Sequence, residues 1–124
     1  MRVRVPLALD AIATLAIARL APPEMPALLS LDSHLVDVLM PDLVGHDKRQ
    51  SSFVLYLWLY AMTAAAGRKS AFFSYQLLTD RTGLSKRAVQ RAVAHLRRRQ
   101  LIRVSRKSPT AVPEYAVATP WLRG

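Results

Sequence analysis

The chain has 124 residues, 52% of them apolar, which is enough for one domain with a proper core and excludes a disordered tail protein. It has no cysteine, so disulfides, thiol catalysis and thiolate zinc sites are excluded. The net charge of +10 is uneven: residues 1–66 hold five Lys or Arg against six acids, and residues 67–124 hold thirteen against two. A polyanionic partner is therefore expected at the second half, with nucleic acid favoured over an anionic membrane.

Residues 1–21 place Arg2 and Arg4 before an apolar run, as a signal or transit peptide does. Asp10 interrupts that run, Arg19 closes it, and it is too short to span a bilayer. The preferred reading is a helix over 7–20, with Leu9, Ile12, Ala13, Ala16, Ile17 and Leu20 on one stripe. Pro22, Pro23 and Pro26 stop it, and residues 25–31 fit either one helical turn or a strand.

Asp32 or Ser33 is expected to cap a short helix over 34–40. It should end at Pro41, because the residue before a proline is pushed away from helical angles. His34 and His46 lie twelve apart without a supporting cluster, so they read as surface or capping histidines rather than metal ligands. Residues 42–50 then form a polar connector.

Ser51 or Ser52 should cap the next helix, FVLYLWLYAMTAAA over 53–66, which is apolar nearly all round. Phe53, Leu57, Tyr60, Ala61 and Ala64 make one face, and Leu55, Trp58, Leu59 and Met62 another. Such a helix needs neighbours on every side, which either an intramolecular core or a second subunit supplies. After Gly67, Arg68 and Lys69, residues 70–73 are a candidate short strand.

The sequence from 74 to 100, SYQLLTDRTGLSKRAVQRAVAHLRRRQ, predicts two helices and a tight turn. Ser74 caps the first, over 75–81. Gly83 supplies the turn, and Ser85 caps the longer second helix. Ala88, Val89, Ala92, Val93 and Leu96 form its inward stripe. Its other face carries Lys86, Arg87, Gln90, Arg91, His95, Arg97 and Arg98, and no acid lies between Asp80 and Glu114. Solvated faces usually mix both signs, so this one fits a helix offered to a polyanion. Strands over 101–104 and 115–117 flank SRKSPTAVPE, a hairpin loop, and the strand candidate at 70–73 is placed to pair with that hairpin.

Residues 74–117 thus resemble the winged helix-turn-helix domains of bacterial and phage regulators and replication initiators. The resemblance is carried by Leu77, Thr82 to Ser85, Lys86, Val89 to Arg91 and Leu96, over about a third of the chain. Gln100 departs from it, standing where such domains usually end the helix with glycine. The implied fold is mostly α with a small β-hairpin: a winged helix-turn-helix domain over 51–120 behind an N-terminal helical extension over 1–50.

On that reading Ser85, Lys86, Arg87, Gln90 and Arg91 read base edges, with Gln90 suited to adenine and Arg91 to guanine. Arg68, Lys69, His95, Arg97, Arg98, Arg99, Arg103, Arg106 and Lys107 meet phosphates or belong to the wing. The expected partner is double-stranded DNA in the bacterial cytoplasm, bound by a homodimer joined through the N-terminal half, with no membrane, metal or cofactor. No H-E-x-x-H, phosphate loop, G-x-S-x-G or paired carboxylates in an apolar setting occur, so an enzyme is not expected. Two function classes stand: an operator-binding regulator, and the DNA-binding module of a replication, packaging or other nucleoprotein assembly. Structured RNA is a minor third, with Phe72, Phe73 and Tyr75 keeping single-strand stacking open. A small-molecule effector is left open.

Overall fold

The computed structural model describes Met25 and residues 27–122, so the helix expected over 7–20 lies outside the described residues. Two short π-helical segments, Leu35–Leu39 and Pro41–His46, come first. They are followed by helix α1 (Gln50–Met62), strand β1 (Ala71–Phe72), helices α2 (Tyr75–Thr82) and α3 (Lys86–Arg98), and strands β2 (Ile102–Ser105) and β3 (Glu114–Val117).

The core is built around α1, which touches α2, α3, β3 and the second π segment. Leu55, Tyr56 and Leu59 are fully buried and Met62 nearly so. Trp58 is half-buried and meets Phe73 edge-on, with ring centroids 4.9 Å apart. The second apolar face of this helix is therefore largely covered by the chain's own elements, as the intramolecular alternative requires. Fully burying each such side chain is worth roughly 1.5–3 kcal/mol in transfer free energy.

Local chemistry explains where α1 departs from expectation. It begins at Gln50 with Arg49 as N-cap and no side-chain cap. Ser52 does not cap it; the residue is buried, with its hydroxyl 2.7 Å from His95. At the other end the Thr63 hydroxyl donates to the Leu59 carbonyl at 2.6 Å, and Ala65 N–H and Arg68 N–H each reach back five residues. The last turns are thereby widened, and the helix closes before Ala64.

The segment before α1 also differs from the polar connector expected there. Leu35, Leu39 and Leu43 recur every four residues and are all buried, a stripe that draws the chain onto α1 across Pro41. Pro41 does not end the helical path. Met40 keeps right-handed helical angles before it, and the proline stands first in the second segment. Asp32, rather than Ser33, supplies the cap, its carboxylate accepting from His34 N–H at 2.9 Å. Residues 27–31 are neither helix nor strand.

From Ser74 onward expectation and structure agree closely. Ser74 accepts from Leu77 N–H and Ser85 from Ala88 N–H, both at 3.1 Å. Between them Gly83 takes φ +78°, its N–H donating to Thr79. At the end of α3, Gln100 adopts φ +58° in glycine's usual place. Its N–H donates to Arg97 and the next, from Leu101, to Leu96, the paired bonds that close a helix around a left-handed residue.

Strand β3 lies between β1 and β2, antiparallel to both, with Tyr115 opposite Ala71 on one side and Val104 on the other. Both hairpin strands are one residue out of their expected starts, and the short strand pairs with the wing as anticipated. Tyr115 and Phe73 are fully buried, so Phe73 is not available as a stacking platform. Tyr56 donates from its hydroxyl to the Ala118 carbonyl at 2.9 Å, and Trp121 stacks on His34 at 4.2 Å between centroids. The last described residues are thus tied over α1. Helices and hairpin together make a winged helix-turn-helix fold with Leu35, Leu39 and Leu43 included in its core.

Candidate nucleic-acid interface

Helix α3 is strongly two-sided. Val89, Ala92, Val93 and Leu96 face the core, and Arg87, Gln90, Ala94 and Arg98 follow one another along the exposed side at steps of three and four. Lys86 and Arg97 lie on one flank of that row and Arg91 on the other. All of these cations are exposed, and none makes an ion pair among the described residues. Ser85 is exposed, but its hydroxyl oxygen is engaged in the cap.

The wing carries Arg103 on β2 and Arg106 and Lys107 in its loop, all exposed. Arg106 donates to the Pro109 carbonyl at 3.2 Å and sits 6.0 Å from the Tyr75 ring centroid, which holds the loop beside α2. Arg97 and Arg103 border one open groove with Lys69, while Arg68 is exposed in the turn after α1.

Residues 47–102 match the family described as helix-turn-helix domain. They form a helix-turn-helix domain. No curated protein and no solved structure shows a significant match to the chain. The helix-turn-helix domain spans the interval from Asp47 to Ile102, so its matched part includes α1 and α3 and reaches the first residue of the wing.

Two residues expected to meet phosphates are engaged within the chain instead. His95 is buried at 8% exposure. Its Nε2–H donates to Asp47 at 2.8 Å, and Nδ1 lies 2.7 Å from the Ser52 hydroxyl. A carboxylate only accepts, which sets that tautomer. Ser52 is 1% exposed, out of reach of any substrate, so this Ser–His–Asp chain is a structural tie. Arg99 is likewise internal in its loyalties: its guanidinium pairs with Asp42, and its Nε lies 3.2 Å from Asp47.

Asp42 and Asp47, which read as isolated acids in a connector, thus bind the π-helical region to the last turns of α3. The Asp47 carboxyl is held below its ordinary range, chiefly by the hydrogen bond from His46, with His95 and Arg99 adding to it against the opposing effect of burial. Asp42, His46 and Asp47 bring ligand atoms within 4.8 Å of one another. The Arg99 guanidinium already stands against both carboxylates, where a metal ion would need to be. No helix among the described residues is long and apolar enough to cross a membrane.

Sequence reasoning also missed two exposed cations. Lys48 and Arg49, in the turn before α1, border the same cleft as Arg91 of α3. The six acids of residues 1–66 cancel them in a sequence count, whereas the charge of their neighbour Asp47 is spent on His46, His95 and Arg99.

Proposed function

We propose that the protein is a sequence-specific double-stranded DNA-binding regulator that occupies an operator. The observation that carries this reading is the exposed row of Arg87, Gln90 and Arg98 on α3, without acidic partners among the described residues and beside an exposed basic wing. Arg87 and Gln90, at the N-terminal end of the row, are the base readers, with Ser85 and Lys86 at the start of the helix that leads into the groove. Arg98, Arg103, Arg106, Lys107, Arg68 and Lys69 set position through phosphates. The protein acts where bacterial DNA lies, in the cytoplasm.

A homodimer suits this role, because two-fold operators place two recognition helices about one DNA turn apart. With most of the second face of α1 covered, support for the dimer shifts to an apolar groove of Met25, Leu29, Leu31, Val54 and Trp58 on the N-terminal side. In-vitro selection on random duplexes tests the operator reading: enrichment of one palindromic site is expected. Light scattering at micromolar concentration tests the dimer. A monomer that binds tightly to a single half-site would favour the assembly-module reading instead.

A further inference from the structure

Cations lie on both sides of α3. On the wing side, Arg97 shares its groove with Lys69 and Arg103. On the other side, Arg91 borders a separate cleft with Lys48 and Arg49, which reach it from a different part of the chain. Lys48 holds φ +54°, a left-handed turn uncommon for a side chain of its type, where the chain swings from the second π segment into α1. Lys48, Arg49 and Arg91 are exposed and have no acid within ion-pair distance among the described residues. The nearest acid in sequence, Asp47, is engaged by His46, His95 and Arg99.

A helix lying in a major groove, about 12 Å wide, has a phosphate strand on each side. The wing-side groove meets one of them. We infer that Lys48, Arg49 and Arg91 form a second phosphate-holding cleft on the far side of α3, so that the protein grips both backbones bordering one groove. Guanidinium groups suit this role, since their forked donors match phosphate oxygens, and the Lys48 ammonium adds a mobile point charge. Arg91 is thereby assigned to the backbone rather than to a base edge. This inference rests on the DNA-binding reading above and adds the geometry of the grip to it.

The test uses the full chain with Lys48→Gly and Arg49→Gln combined, and separately Arg91→Gln. Glycine suits the left-handed turn, so the first variant removes charge without straining the fold. Duplex affinity is measured by fluorescence anisotropy across a salt series, with phosphate-ethylation interference on both strands. The parent should show a steep salt dependence. The double variant should flatten the slope of log K against log salt by about 1.8, or 0.9 for each lost phosphate, and lose interference on one strand only. Arg91→Gln should weaken all sequences alike. An unchanged slope and footprint in a variant that melts like the parent overturns the cleft and leaves DNA binding standing. Relaxed preference at one base position in Arg91→Gln would return that residue to base readout. A parent chain without salt-dependent duplex binding would remove both readings.

Discussion

Gly83 and Gly45 provide a matched pair of perturbations with opposite expected signs. A methyl group added at either position meets no heavy atom within 4 Å, so steric crowding contributes nothing to the comparison. Gly83 sits at φ +78° between α2 and α3, where an L-residue crowds its own carbonyl at a cost of about 1–2 kcal/mol. Gly45 lies inside the second π segment without a positive φ, where alanine should gain roughly 0.5–1 kcal/mol by restricting the unfolded chain. Thermal unfolding followed by circular dichroism reads both, at about 4–8 °C for each kcal/mol in a domain of this order. Gly83→Ala should lower the midpoint and Gly45→Ala raise it, with Gly83→Val lower still. A Gly83→Ala variant that melts at or above the parent, or two variants that move together, would refute the account of the turn.

The remaining predictions concern binding and pH. Gln90→Ala should cost about 1–3 kcal/mol on the preferred site and relax one base position, whereas Arg106→Ala should weaken every duplex alike; equal losses on specific and random DNA from both would misplace the reading face. The parent's log K should fall with log salt at a slope of roughly −5 to −7 for about six to eight phosphates, and a slope near zero would exclude duplex DNA as the main partner. The depressed carboxyl of Asp47 should stabilise the fold fully above the unfolded value near 3.8 and progressively less as pH falls through its lower folded value. Urea midpoints of the parent and of Asp47→Asn should therefore converge in acid, and a gap that widens below about pH 4 would contradict the sign.

What was legible in the residues is what depends on near neighbours. Ser74, Gly83 and Ser85 act on backbone groups three or four residues away, and the stripe from Val89 to Leu96 needs only helical spacing, so the two motif helices and their turn could be placed. The wing followed from two short apolar runs around a proline-containing loop. Pro41 misled because its local preference was outweighed by Leu43, which continues the buried row of Leu35 and Leu39. His95 misled for a related reason. It stands at the edge of the cationic face, and its partners Ser52 and Asp47 are 43 and 48 residues away. Arg99 finds Asp42 across a comparable separation of 57 residues. Lys48 and Arg49 were overlooked for a related reason, since two of the three groups that hold the acid beside them, His95 and Arg99, lie far away in the sequence.

The left-handed residue that closes α3 has a mechanical consequence. Gln100 turns the chain within one residue, Leu101 is buried at once with its N–H donating to the Leu96 carbonyl, and its own carbonyl accepts from Ala118 N–H at 2.8 Å, so the root of the hairpin is stitched to the helix through its first strand and closed onto its second. Only Arg99, Gln100 and Leu101 lie between the end of α3 and the start of β2. On the proposed DNA-binding reading, helix and wing would be offered to a duplex together, and a tilt of α3 would carry the root of the wing with it. If that reading holds, a base pair inserted between the steps under the helix and those under the wing would be accommodated largely by the twist of the DNA.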